Sequence, residues 1–354
     1  MRFRSKTVET ENSLRQRAAA WPECPTLESL NPETLRHITR HEGVDFTTAL
    51  FFDRFCKSPK RSRFIQQIDA LRHSPGPLHA TLGAKVVIVP GALYVERPDM
   101  GGDGRIVREV AGRLGLETDL IPLGSFGSVK TNAGLIRDWL KQHRQERRIF
   151  VSLSKGGADL KLAMSEPDGL ELFHNVVAWI NVCGPLSGSR MANWILESRI
   201  RTWFFQCKFR WQKRDFKFVS DLRHGGDALL DFVFRPPESM RMVSLIGFPL
   251  HQHMTTRFSR FCHRTLFPYG PNDGTTSLSD LQSVPGEIYP VWGMDHYFRP
   301  ESEARNLVAA ILFFLAGSLS STTNSRDSLG TSAKAQACFT PCGPTIQTSS
   351  KPQD

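Results

Sequence analysis

No run of about 18 apolar residues occurs in the 354-residue chain, so a membrane-spanning helix is not expected. The longest candidate, residues 307–315, is too short and reads as a buried helix. The opening M-R-F-R-S-K-T-V-E-T-E-N-S-L-R-Q-R is basic, but no apolar stretch of the length a secretory signal needs follows it. Cysteine is sparse: seven residues, at 24, 56, 183, 207, 262, 338 and 342, odd in number and without metal-type clustering. Only Cys338 and Cys342 stand close together, in a Ser/Thr-rich tail. This scatter favours free thiols in a reducing compartment, the cytoplasm, over a disulfide framework or a metal site. The pair His251 and His253 in H-Q-H has no carboxylate cluster beside it, so no metal is expected there either. There is no internal repeat and no recognised nucleic-acid module.

What is present is the composition of an ordinary globular chain, 40% hydrophobic and 23% charged. The net charge of +10 suits an anionic partner or simply aids solubility. Residues 1–79 read as a basic tail, poorly ordered to about residue 25, and a helical extension. In N-P-E-T-L-R-H-I, Asn31 is placed to cap a helix and Pro32 to occupy its first turn. Phe46, Leu50, Phe51 and Phe55 then recur on one helical face. From residue 80 strands and helices alternate. K-V-V-I-V-P is a continuous apolar run suited to a strand covered on both faces, and R-I-V-R-E-V-A-G-R-L-G follows with helical spacing. T-D-L-I-P-L, I-F-V-S-L and V-V-A-W-I-N-V repeat the strand pattern, and M-V-S-L-I-G-F and E-I-Y-P-V-W resume it later. Such alternation predicts an α/β domain over 80–316, a mostly parallel doubly wound sheet. The rhythm breaks at about 185–240, in an insert dense in Arg, Lys and aromatic residues. A last helix is expected over 301–316, followed by a disordered tail over 317–354.

Ser154, in I-F-V-S-L-S-K-G-G, lies between a strand and the start of a helix. A sharp strand-to-helix turn presents one side chain at the sheet edge and requires small residues two before and two after. Here those are Ser152 and Gly156; glycine is the usual residue at the first of them. Free N–H groups at the start of the helix favour a developing oxyanion. A serine hydroxyl needs a base, usually histidine held by a carboxylate. His296, in W-G-M-D-H-Y-F, follows the last strand. Asp273, in F-P-Y-G-P-N-D-G-T-T, is held out on a turn-rich loop; Asp280 and Asp295 compete for the same role. The loop V-V-I-V-P-G-A-L-Y offers the N–H of Ala92 or Leu93 as one oxyanion donor, and Lys155 offers the other.

Taken together, V-S-L-S-K-G-G, V-P-G-A-L, P-N-D-G-T and G-M-D-H make residues 80–316 resemble an α/β-hydrolase, of the lipase and esterase kind in the acid loop. The resemblance implies Ser154 as nucleophile, His296 as general base and Asp273 as orienting acid. It places the insert at 185–240 as a lid. The implied reaction is hydrolysis of a carboxylic ester or thioester through an acyl-enzyme, and it needs no cofactor. Trp203, Phe204, Phe205 and Trp211 in the insert suggest a substrate with an apolar acyl group. The insert's arginines suit an anionic group, a lipid surface or a solvated face, and nucleic acid ranks last among partners. Transfer of the acyl group to another acceptor, or a binding protein that keeps the fold without catalysis, are the alternatives.

Overall fold

The computed structural model describes residues 10–73 and 83–334. Six strands form one sheet, all parallel: β1 Lys85–Val89, β2 Thr118–Leu120, β3 Arg148–Leu153, β4 Val176–Val182, β5 Arg241–Phe248 and β6 Glu287–Trp292, in the order β2-β1-β3-β4-β5-β6. The chain leaves β1 for the edge strand β2 and returns to place β3 on the other side of β1. The carboxyl ends of β1 and β3 therefore border a switch point, where loops diverge and leave a crevice.

Helices cover both faces, which explains the uninterrupted apolar strands. Val86, Ile88, Ile149 and Val151 point to one face and Val87, Val89 and Phe150 to the other, all of them buried. The first face carries α1 Glu11–Ala19, α2 Pro32–Glu42, α3 Val44–Lys57, α4 Pro59–His73, α5 Arg105–Arg113 and the last helix. The second carries α6 Val129–Gln142, α7 Lys155–Ser165 and α8 Gly169–Leu172. The insert after β4 folds as α9 Arg190–Leu196, α10 Arg199–Trp211 and α11 Lys217–Asp221, and packs on this second face. Then come α12 Arg257–Leu266 after β5 and α13 Glu301–Lys334 after β6.

Asn31 caps α2 by accepting the N–H groups of Glu33 and Thr34, with Pro32 in its first turn. Phe46, Leu50, Phe51 and Phe55 of α3 are buried, the last two against Phe248 at the end of β5. Order begins earlier than the composition of the amino-terminal segment leads one to expect. Leu14 and Ala18 of α1 are buried, and the Arg54 guanidinium of α3 donates to the carbonyls of Ala18, Trp21 and Cys24. The last helix also differs, running to Lys334 and not ending at residue 316. The boundary expected near residue 79 and the tail beyond 334 lie outside the described residues. Among the described residues no helix is long and apolar enough to cross a membrane.

Candidate active site

Strand β3 ends at Leu153 and α7 begins at Lys155, leaving Ser154 alone in the turn. Its backbone sits at φ 48°, ψ −121°, a conformation that non-glycine residues adopt only when their surroundings force it. Two bonds fix the turn: the Ser154 N–H donates to the Val182 carbonyl, and the Gly157 N–H donates to the Ser154 carbonyl, both at 2.9 Å. Gly156 is required by contact. A Cβ there would lie 2.4 Å from the Val89 carbonyl oxygen and 2.7 Å from that of Pro90. The missing side chain lets α7 start hard against the end of β1.

Ser152 occupies the position where glycine is usual, and the structure gives it partners. Its side chain is on the α7 face of β3, fully buried. The Trp179 Nε1–H donates to its hydroxyl at 2.8 Å, and the hydroxyl donates to Asn181 Oδ1 at 3.1 Å. A Cβ on Gly157 or Gly184 would collide with that same Asn181 oxygen. Ser152 is thus the middle of a polar bridge between β3 and β4, underneath the turn.

The Ser154 hydroxyl lies 2.8 Å from His296 Nε2, and His296 Nδ1 lies 2.9 Å from Asp273 Oδ2. The imidazole is only 7% exposed and the carboxylate 1%. The other carboxylate oxygen, Oδ1, accepts the N–H groups of Thr275 (2.9 Å) and Thr276 (2.6 Å), so the turn P-N-D-G-T orients the acid toward the histidine. A backbone bond from the His296 N–H to the Asp273 carbonyl at 2.8 Å joins the two loops directly. Burial alone would lower the His296 pKa, but the charge and hydrogen bond of Asp273, with the charge of Asp295, outweigh it and raise it.

The two competing carboxylates are engaged elsewhere. Asp295 accepts from the N–H and hydroxyl of Thr255 and from the Tyr297 N–H, pinning the loop that carries His296. Asp280 lies 3.6 Å from His224 and 4.0 Å from Arg190, at the root of the insert. His251 and His253 do not converge: the first faces His263 at 3.4 Å, the second faces Glu11 at 3.1 Å. Cys183, at the end of β4, is a neighbour that sequence reasoning missed. Its sulfur, an Asp273 oxygen and a His296 nitrogen lie within 4.8 Å of one another, the one three-residue group among the described residues with metal-compatible geometry. Burial, reinforced by Asp273, pushes the thiol pKa well up, which keeps it protonated beside the carboxylate.

The loop after β1 passes next to the serine. A Cβ on Gly91 would lie 3.0 Å from the Leu153 carbonyl oxygen and 3.4 Å from Ser154 Cβ. The Ala92 and Lys155 N–H groups have no hydrogen-bond partner among the described residues. The Leu93 N–H, by contrast, is directed at the Ser125 carbonyl at 3.4 Å. The Lys155 side chain turns away from the turn and is buried, with Nζ 2.6 and 2.7 Å from the two oxygens of Asp159. A hydroxyl, an imidazole and a carboxylate stand in series here, with Lys155 directly after the serine and the loop that carries Ala92 packed against it.

The insert leaves its own aromatic residues facing outward. Ile200 (79% exposed), Trp203 (66%), Phe204 (56%) and Trp211 (83%) form a stripe on the outer face of α10, while Phe209 is buried and Phe205 half-buried. Lys161 of α7 pins the insert's two roots, donating to the carbonyls of Leu186, Leu230 and Phe232 at 2.8, 2.8 and 3.1 Å.

No family model and no curated protein matches the chain. Among solved structures, the chain is similar to a metagenomic carboxyl esterase, MGS0156, at 21% identity and a TM-score of 0.53, over 69% of this chain and 79% of that one. It also aligns with the mature form of Bacillus licheniformis lipase BlEst2, at 18% identity and a TM-score of 0.46, over 68% of this chain and 93% of that one. At 21% identity the likeness to the carboxyl esterase speaks for the fold alone.

Proposed function

We propose that this chain, which has the α/β-hydrolase fold, is a serine hydrolase that cleaves a carboxylic ester or thioester through an acyl-enzyme. The observation that carries this reading is the pair of contacts at His296: 2.8 Å from Nε2 to the Ser154 hydroxyl and 2.9 Å from Nδ1 to Asp273.

Ser154 Oγ attacks the acyl carbonyl while its proton passes to His296 Nε2. Asp273, facing Nδ1, fixes the tautomer that leaves Nε2 free to accept, and stabilises the imidazolium that forms. The tetrahedral oxyanion is met by the N–H groups of Ala92 and Lys155; Leu93, engaged with Ser125, is not used. His296 returns the proton to the departing alcohol or thiol oxygen or sulfur, and the acyl group stays on Ser154. Water then attacks the acyl-enzyme, giving a proton to His296, and the acid leaves as Oγ is reprotonated.

The insert at about 185–240 serves as a lid, and its outward stripe favours a substrate with an apolar acyl group met at a lipid surface. From Arg199 to Lys217, both included, the chain has seven basic residues and one acidic residue, Asp215, so the stripe is framed by positive charge. Cys24, Cys56, Cys183, Cys207 and Cys262 carry free thiols, which suits the cytoplasm.

A fluorophosphonate probe tests the reading. Labelling that is lost in Ser154→Ala, together with loss of ester hydrolysis by at least about 10,000-fold, is the expected result. Labelling that persists in that variant, or an intact chain that does not label, overturns it.

A further inference from the structure

The charged side chains of Lys155 and Asp159, buried in α7, have no part in the chemistry so far described. Lys155 and Asp159 are 3% and 1% exposed, an ion pair one helical turn apart. Such a pair surrenders hydration on both sides, so apolar residues of the same size would stabilise the helix as well or better. What it does supply is direction. Asp159 Oδ2 also accepts from Asn132 Nδ2 of α6 at 2.8 Å. The Asn132 carboxamide in turn clasps the loop after β2: its Oδ1 accepts the Gly124 N–H and its Nδ2 donates to the Gly124 carbonyl, both at 3.1 Å. A Cβ on Gly127 would lie 2.4 Å from Asn132 Oδ1, so the loop wraps closely on that group. The same loop receives the segment after β1. The Leu93 N–H points to the Ser125 carbonyl at 3.4 Å, and the Tyr94 hydroxyl donates to the Leu123 carbonyl at 2.8 Å.

The chain of contacts thus runs from the residue after Ser154, through α7, α6 and the 123–125 loop, to the residues after Ala92. At each end stands a residue of unfavourable backbone, Ser154 at φ 48° and Leu93 at φ 64°. Strained backbone persists only where its surroundings over-determine it.

We propose that Asp159 and Asn132 are positioning residues that hold the two oxyanion donors, the Ala92 and Lys155 N–H groups, in register with each other. This rests on the serine-hydrolase reading above. Neither residue is in hydrogen-bond contact with Ser154 or His296, and they act through Lys155 and the 123–125 loop.

Asn132→Ala cuts the link while leaving the Lys155–Asp159 pair; Asp159→Asn keeps the shape and removes the charge. Each is assayed with p-nitrophenyl butyrate, with active sites counted by fluorophosphonate labelling and the fold checked by thermal melting. The expected result is a kcat per labelled site lowered about 10- to 100-fold with KM within about twofold. The inhibition constant of an alkyl trifluoromethyl ketone, whose adduct carries the oxyanion, rises by the factor that kcat/KM falls. A purely structural role predicts a smaller labelled fraction and a lower Tm, with kcat per labelled site and inhibitor affinity unchanged; that outcome overturns the inference alone. Wild-type protein that neither labels nor hydrolyses overturns the functional reading and this inference with it.

Discussion

His296 Nδ1 and Asp273 Oδ2 are 2.9 Å apart, and the His296 N–H donates at 2.8 Å to the Asp273 carbonyl, so ring and backbone of one residue are both held by the other. The contact sets a pH dependence. Only neutral His296 can accept a proton. Burial pulls its pKa down, but Asp273 and then Asp295 prevail and raise it above the ordinary 6.5. The acidic limb of kcat/KM is therefore expected at a higher pH than a free imidazole would give. Asp273→Asn removes the first of the opposing charges: the limb moves downward and the rate falls about 1,000- to 10,000-fold. A pH–rate profile of both proteins checks this; an unmoved limb contradicts it.

How much of this was legible beforehand depends on whether the cause is local. β1 and β3 are readable because strands covered on both faces must be apolar throughout, and Ser154, Asp273 and His296 each stand in a recognisable loop. Their separations are not readable, since they depend on the register of β3, β5 and β6. The Asp159–Asn132 contact is hidden for the same reason: its one local sign is the four-residue spacing of Lys155 and Asp159, and the partner lies on another helix. The order of α1 depends on Arg54, more than 30 residues away from the carbonyl of Ala18 that it caps. The aromatic spacing of α10 is plain in the sequence, but which way the stripe faces is decided by what α9, α11 and Phe126 pack against.

Gly156 and Gly112 make a paired test of close approach. Both are helical glycines. A Cβ at Gly156 meets two backbone carbonyls inside 3 Å, whereas at Gly112 it meets nothing within 4 Å. Gly156→Ala is expected to cost about 3 kcal/mol or more, because relief requires β1 to shift from its ladder with β3. Gly112→Ala is expected to stabilise by about 0.5–1 kcal/mol through helix propensity. Chemical denaturation of the two variants reads both signs.

The exposed stripe of α10 predicts surface partitioning. The protein is expected to co-sediment with phosphatidylglycerol vesicles, to do so less with phosphatidylcholine, and to be released by salt. Trp203→Ser with Trp211→Ser should lower the partition at least about 10-fold, with hydrolysis of a short soluble ester unchanged. Equal binding by the double variant would contradict a role for the stripe.

Ser152 lies two residues before Ser154, and its hydroxyl is engaged in the bridge between Trp179 and Asn181. The turn needs a small residue there for steric reasons, and glycine satisfies that need as well as serine. The bridge and the backbone restraint of a side chain distinguish them. Ser152→Gly leaves the Trp179 Nε1–H buried without an acceptor, a loss of about 1–3 kcal/mol, and adds the chain entropy of a glycine in a strand interior. Ser152→Ala keeps the backbone restraint and isolates the hydrogen-bond loss. The expected order of Tm is therefore wild type, then Ser152→Ala, then Ser152→Gly, while kcat/KM per folded molecule stays within about threefold, since one lost hydrogen bond beneath the turn removes no group from the reacting atoms. A large fall in kcat with little change in Tm would mean instead that the bridge sets the position of Ser154 itself, and that serine stands at this place for the reaction and not for the fold.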